Sequence, residues 1–235
     1  MKASQDLKIN GSGNYPGGRY DKVSIRGEAT IENYVECTVF NTYGTAEVLE
    51  GVRTDSIKII GESEISGNME AGDMLIMGNM AIEGSAVVHK MKVLGTLSVG
   101  ERLQGETANV KGSVSVKGDV EYETFILKGG FEIKGLLNAD HIEVGLHFGE
   151  STAEEIGGEK IKIKKKSSFL PFVKDTGFLT AKVIEGDDVS LENTKAEIVR
   201  GKFVKIGKGC EIGTVEYSEN LIQDKSASIK TFKKV

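Results

Sequence analysis

Few side chains in this sequence stand where they could carry out acid–base chemistry. The three histidines, His89, His141 and His147, are well separated, and none adjoins both a carboxylate and a second histidine. An imidazole that acts as a general base needs a neighbouring group to orient it, so these residues are more typical of surface or turn positions. The motifs GxxxxGKS/T, GxSxG and HExxH are also missing, so the sequence predicts no nucleotide, serine-hydrolase or zinc-protease site.

Metal and thiol chemistry has equally little support. Asp187, Asp188 and Glu192 form one acidic cluster without the glycine-centred spacing of a calcium loop, which indicates a solvated rim. Cys37 and Cys210 are the only cysteines, too far apart in sequence for a zinc site and too few for a disulfide framework. We expect both thiols to be buried and unreactive, and we expect no metal or cofactor.

One segment combines a strong positive charge with aromatic residues. Lysines near anionic lipid each contribute about 1 kcal/mol, and aromatic rings can insert at the level of the headgroups. The segment therefore predicts either contact with a membrane or partner surface, or a basic loop packed over the rest of the fold. Its proposed contact residues are Lys160, Lys162, Lys164, Lys165, Lys166, Phe169, Leu170 and Phe172.

Composition and charge narrow the class of protein. The 235 residues include 30 glycines, 2 prolines and no tryptophan, with 39 % apolar residues, which indicates a folded chain with frequent turns. Residues 1–150 contain 14 Lys/Arg and 22 Asp/Glu, and residues 151–235 contain 16 and 13, so neither part has the basic excess of a nucleic-acid-binding domain. Without a long apolar run or a secretory signal, we expect a cytoplasmic protein.

Glycine recurs every 17 residues through the first half of the chain. Apolar residues occupy fixed columns around this glycine, at two and four positions before it and at four and eight positions after it. A repeat of this length is the signature of a solenoid, in which each unit stacks on the next. The glycines of the series are Gly27, Gly44, Gly61, Gly78, Gly95, Gly112 and Gly129.

The spacing within one repeat indicates strands and excludes a helix. Apolar residues alternate with polar ones, as at Val114, Val116 and Val120, which is typical of a half-buried strand. In a helix, 17 steps of about 100° would end about 260° from the starting face, so the columns would not align. A second glycine series, including Gly67 and Gly84, marks another corner. The repeat therefore predicts an all-β parallel β-helix, or solenoid, with 17-residue rungs of three strands.

Departures from the repeat divide the chain into five parts. Residues 1–20 are expected to form an N-terminal arm or cap, and residues 21–150 about seven regular rungs. Residues 151–178 are expected to leave the solenoid as a basic and apolar excursion. Irregular rungs then follow in residues 179–217, and residues 218–235 resemble a polar tail.

The repeat resembles that of the bactofilins, a bacterial family of polymer-forming cytoskeletal proteins. The resemblance rests on units such as MKVLGTLSVGERLQGE and ANVKGSVSVKGDVEYE, and it covers most of residues 7–217. GSGNYPGGRYDKVSIRGEATI and VRGKFVKIGKGCEIGTVEY are similar to the longer variant found in Gram-positive bacteria. It implies a right-handed β-helix that polymerises through its ends without nucleotide, in bacterial morphogenesis or surface-structure assembly. The partners it implies are further copies, a sister bactofilin, or membrane and cell-wall proteins.

The ends of such a solenoid are the expected polymer contacts. A terminal rung leaves N–H and C=O groups unpaired and its apolar interior open. The column two positions after the lattice glycine widens from Ala29 to Phe131, and Phe148 comes next. We therefore expect a polymer contact that includes Phe148, Phe131 and Phe125, unless the rungs of residues 179–217 cover it.

Two other functions remain open from the sequence. One is a hexapeptide-type acyltransferase, for which the six-residue step from Ile206-Gly207 to Ile212-Gly213 is the single supporting feature. The other is a monomeric β-helical adaptor that binds another protein on a flat side. Neither explains the seven regular glycines as directly as a polymerising scaffold does.

Overall fold

The computed structural model describes residues 5–147, 149–165 and 177–235, and every regular element in these ranges is a β-strand. The chain divides into two compact units, Met1–Lys117 and Gly118–Val235. The first unit contains β1 (Leu7–Tyr15), β2 (Gly18–Ile31), β3 (Val35–Val48), β4 (Val52–Ile65), β5 (Met69–Ile82), β6 (Ala86–Val93), β7 (Thr96–Val99), β8 (Leu103–Gln104) and β9 (Thr107–Val116).

Strands of the first unit pair in parallel with the predicted 17-residue offset. Val35 of β3 pairs with Val52 of β4, and Val52 pairs with Met69 of β5. The lattice glycines pair with one another in the same way, Gly27 with Gly44 and Gly44 with Gly61. The prediction of an all-β parallel solenoid is therefore confirmed.

One turn of the first unit has three short segments, as the strand β3 illustrates. The alternation of buried and exposed residues is interrupted at Thr38 and again around Gly44, and a bend follows Val48. Each segment then places two side chains inside. The inward residues of this turn are Val35, Cys37, Phe40, Thr42, Ala46 and Val48.

The corner at the lattice glycine requires glycine for two reasons. The seven glycines have φ between 122° and 155°, a conformation that side chains with a Cβ rarely adopt. A Cβ on Gly61 would also overlap the carbonyl oxygen of Gly44 one turn earlier, and Gly78 has the same relation to Gly61. The 17-residue glycine series is thus a consequence of stacking one tight corner on another.

The second unit is also a parallel solenoid, but with turns of unequal length. Consecutive strands pair at offsets of 19 to 20 residues, then 28, then 15, and then 16 to 17. Its strands are β10 (Val120–Leu146), β11 (Glu150–Lys165), β12 (Phe178–Leu191), β13 (Thr194–Ile206), β14 (Glu211–Gln223) and β15 (Ser228–Lys234).

Three of the predicted boundaries are wrong. Residues 7–15 form β1, which pairs with β2 and buries Ile9, so they belong to a rung rather than to a separate arm. Residues 151–165 belong to β11, because Ile161 and Ile163 alternate with lysines and point inward. Residues 228–234 form β15 rather than a polar tail. Residues 166–176 of the expected excursion lie outside the described residues.

Candidate assembly interface

The inward rows of the second unit continue to its last strand. One row passes from Ile184 through Val199 and Val215 to Phe232, each residue paired with the one in the next strand. The first three are fully buried, whereas Phe232 is 61 % exposed. Since Phe232 occupies an inward position on β15, it is exposed at the end of the stack and not on its side.

A second inward row leads to the same end and grows in size toward it. Ala181 pairs with Ala196, Ala196 with Ile212, and Ile212 with Ile229. Ile229 is half-buried, as is Leu221, which follows Val204 in a third row. We call Leu221, Ile229 and Phe232 the C-terminal face.

The backbone of β15 adds hydrogen-bonding capacity to this face. In the described part of the chain β15 pairs with β14 alone, so its other edge carries N–H and C=O groups directed away from the solenoid. Three exposed lysines, Lys230, Lys233 and Lys234, lie on the same strand. Lysine on an edge strand disfavours indiscriminate pairing with other chains, so any partner must tolerate or neutralise this charge.

The first strand of the first unit has a more closed interior. Ile9 of β1 is buried and continues the row of Ile25. A Cβ placed on Gly13 would lie 3.4 Å from the ring of Tyr15, so this ring covers the position where the row of Ala29 ends. β1 therefore has an unpaired edge in the described residues but exposes less apolar interior than β15 does.

Ion pairs join the turns of the second unit along its outside. The guanidinium of Arg200 on β13 lies 2.8 Å from Glu216 on β14 and 3.3 Å from Glu185 on β12. Hydrogen bonds to these two carboxylates raise the pKa of Arg200. Lys202 makes a similar contact, 2.7 Å from Asp187, and this hydrogen bond raises its pKa. These contacts hold the last turns in register at exposed sites.

The aromatic residues predicted for the polymer contact lie elsewhere. Phe125 and Phe131 are buried inside the second unit, so the assignment of these two residues to an interface is wrong. Phe125 packs against Tyr122, with 6.4 Å between ring centroids, and the N–H of Phe131 donates to the hydroxyl of Ser151. Phe148 lies outside the described residues. Sequence analysis missed Phe232 because β15 resembles a polar tail.

The predicted membrane-contact residues fall partly on β11. Lys160, Lys162 and Lys164 alternate with buried isoleucines, so their side chains point outward. The ammonium of Lys162 lies 3.5 Å from Glu143, and the N–H of Lys165 donates to Glu192. Four further predicted residues lie outside the described part of the chain: Lys166, Phe169, Leu170 and Phe172.

Groups capable of enzyme chemistry are sparse in the described residues. His89 lies 3.0 Å from Glu106, a pairing produced by the 17-residue repeat that linear inspection of the sequence overlooked. Both side chains are on an exposed surface. Cys37 and Cys210 are buried, as predicted, and burial raises the pKa of both thiols. The described residues contain no group of three or more His, Cys, Asp and Glu side chains placed to hold a metal ion.

The fold and these stacked rows define a parallel β-solenoid protein with an apolar terminal face. The chain belongs to the family of two Bacillus subtilis (strain 168) proteins named uncharacterized protein YhbF and uncharacterized protein YhbE. It is 57 % identical to YhbF over 225 residues, which cover 96 % of this chain and 95 % of YhbF. It is 56 % identical to YhbE over 237 residues, which cover both chains fully.

No protein-family model and no solved structure matches the chain. The residues that the structure describes include no helix of the length and hydropathy needed to span a membrane.

Proposed function

We propose that this protein is a non-enzymatic scaffold of the bactofilin type, which assembles into cytoskeletal filaments by end-to-end contact. The observation that carries the proposal is the exposure of Phe232 at the end of an otherwise buried row. Water contact at this position costs free energy that a second copy can recover, because burial of a phenylalanine or isoleucine side chain contributes about 1.5 to 3 kcal/mol.

A strand placed against β15 would extend both the hydrogen-bonded ladder and the apolar core. Filament growth also needs a second contact, since one self-complementary face gives only a dimer. The unpaired edge of β1 can supply it. Assembly by these contacts needs no nucleotide, because the joint repeats interactions already present between turns.

The cellular role follows from the family resemblance rather than from the site. We place the filament in the bacterial cytoplasm, where it serves morphogenesis or assembly of surface structures. The occurrence of two similarly related proteins in one organism favours co-assembly of this chain with a sister protein. Membrane and cell-wall proteins are the further partners of such a scaffold.

A pair of substitutions on β15 tests the joint. Phe232→Arg places a charge on the C-terminal face, and we expect it to abolish filaments while the protein stays folded, because the charge is buried only when two copies meet. Thr231→Arg adds the same charge on the neighbouring outward position, and we expect filaments to persist. Negative-stain electron microscopy and sedimentation velocity read out assembly, and circular dichroism confirms folding.

Two results would refute this interface. Normal filaments formed by the folded Phe232→Arg variant would show that the C-terminal face is not a joint. A monodisperse monomer formed by the unchanged protein at high concentration would favour the monomeric adaptor instead.

A further inference from the structure

An exposed apolar ladder runs along one side of the first unit. The residue just before each lattice glycine points outward, and in four consecutive turns it is apolar: Tyr43, Ile60, Met77 and Leu94. Tyr43 pairs with Ile60, and Ile60 with Met77, so these side chains are stacked at the strand spacing of about 4.8 Å. Tyr43 and Met77 are 39 % and 44 % exposed, and Ile60 and Leu94 are half-buried.

The strand segments that carry the ladder are strongly basic. They are residues 22–27, 39–44, 56–61, 73–78, 90–95 and 107–112, and Asp73 is their only acidic residue. The chain as a whole has a net charge of −5, so this side departs from it in sign. We call the ladder together with the cations of these segments the basic face; the cations are Lys22, Arg26, Lys58, Lys90, Lys92 and Lys111.

The side across the glycine corner has the opposite character. Its segments, including residues 28–31, 45–48 and 62–65, carry Glu28, Glu47, Glu62 and Glu64. No lysine or arginine occurs in any of the six segments of this side, which extend to residues 79–82, 96–99 and 113–116. The two sides meet at one glycine column, so the charge is sorted between flat surfaces.

Tyr43 connects the ladder to the cations. Arg26 from the preceding turn lies 5.9 Å from the centroid of its ring, and Lys58 from the following turn lies 5.7 Å from it. Cation–π attraction at these distances holds two positive groups beside the apolar stripe. An aromatic ring with a polar tip and flanking cations is the combination that favours the interface between lipid headgroups and acyl chains.

We propose that the basic face binds the surface of an anionic phospholipid membrane. The cations contact the phosphate groups, and the side chains of the ladder enter the outer layer of the acyl region. A flat sheet suits this role because its side chains reach the lipid at one depth. The proposal concerns a side of the solenoid and does not depend on the C-terminal face.

The acidic side of a second copy is the main competing occupant. It complements the charge of the basic face, but it offers threonine, serine and glutamate to the ladder, for example Thr45, Glu62 and Thr96. Contact with these groups would desolvate carboxylates without giving the ladder an apolar partner. A nucleic acid would likewise satisfy the cations and leave the ladder in water. Lipid satisfies both features.

Vesicle sedimentation tests the proposal, with the full chain carrying Phe232→Arg so that filament formation does not interfere. We expect binding to phosphatidylglycerol-containing vesicles and much weaker binding to pure phosphatidylcholine vesicles. Reversal of three cations, Lys58→Glu, Lys90→Glu and Lys92→Glu, should lower partitioning by at least about 100-fold, since each cation near an anionic surface contributes about a factor of five. The matched control reverses Lys195, Lys208 and Lys225, three exposed lysines of the second unit, and should retain binding.

The lack of tryptophan in the chain provides a second measurement. Met77→Trp introduces a single fluorophore into the ladder, and we expect its emission to shift to the blue on addition of phosphatidylglycerol vesicles. Thr45→Trp, across the glycine corner, should show no shift. Circular dichroism establishes that each variant is folded.

Three outcomes overturn the proposal. The first is a lack of binding to anionic vesicles by a folded protein. The second is equal binding by the two triple variants, which would place the contact elsewhere. The third is loss of lateral association between copies in the first triple variant without vesicle binding by the parent, which would identify a second copy as the occupant.

Discussion

Thr42 is the polar residue in a column that otherwise contains only aliphatic side chains, from Ile25 through Ile59 to Leu127. It is fully buried, and its hydroxyl has no hydrogen-bond partner. The buried hydroxyl of Thr54 differs, because it can donate to the carbonyl oxygens of Thr38 and Ser56 at 3.2 and 3.0 Å. Two threonines in one solenoid interior thus have opposite energetic roles.

This difference predicts opposite effects of one substitution. Thr42→Val removes an unsatisfied hydroxyl at nearly constant volume, and we expect the free energy of unfolding to rise by about 1 kcal/mol. Thr54→Val removes a satisfied one and leaves carbonyl acceptors short of a donor, so we expect a decrease of about the same size. Denaturant unfolding followed by circular dichroism measures both. A decrease for Thr42→Val would mean that its hydroxyl has a bonding partner.

The two thiols give a prediction about pH. Burial raises the pKa of Cys37 and of Cys210, so the reactive thiolate is scarce in the folded protein even at pH 8. We expect slow alkylation by iodoacetamide in the native state and rapid alkylation after unfolding in guanidinium, read out by mass spectrometry. Because the folded pKa exceeds the unfolded one, the thiols contribute less stability as the pH rises above about 8.5. Fast native labelling of Cys37 at pH 7 would contradict this assignment.

At the scale of the strand, alternation decides which side chains enter the solenoid. The predicted interior columns are buried throughout the first unit, because each is fixed by a lattice glycine of fixed backbone conformation. The second unit was less predictable, since its turns differ in length and have no such glycine series. In β11 the lysines dominated the pattern and concealed Ile161 and Ile163, and β15 contains only two apolar residues, Ile229 and Phe232. Local sequence identified the rungs but not the last one, which depends on what it stacks against.

Two adjacent residues test the inward and outward assignment. Val116 at the end of β9 is fully buried, and Lys117 is exposed. Val116→Lys places an unpaired ammonium among apolar side chains, so we expect a loss of several kcal/mol in the free energy of unfolding. Lys117→Glu should change it by less than about 0.5 kcal/mol. Thermal and denaturant unfolding compare the two, and equal stability would refute the assigned faces.

At the scale of the molecule, the two units place different chemistry on their surfaces. The second unit presents apolar side chains and an unpaired strand edge at β15, which suit contact along the stacking direction. The first unit separates its charge between two sides, which suits contact across that direction. Growth and attachment therefore use different groups of residues, so a substitution at Phe232 and one at Met77 should affect different properties.

The energy source of assembly provides the last prediction. Each proposed joint repeats the contacts between successive turns, so the free energy of polymerisation comes from apolar burial and backbone hydrogen bonds. We expect filaments of the purified protein without nucleotide, in equal amounts with and without added ATP or GTP, as measured by pelleting and electron microscopy. Apolar burial also weakens on cooling, so the critical concentration should rise between 37 °C and 4 °C. The Phe232→Arg variant is the control, since it should stay in the supernatant under every condition. Filaments that form only with ATP or GTP would show that a hydrolysable ligand drives assembly, and the end-to-end joint would then need a different basis.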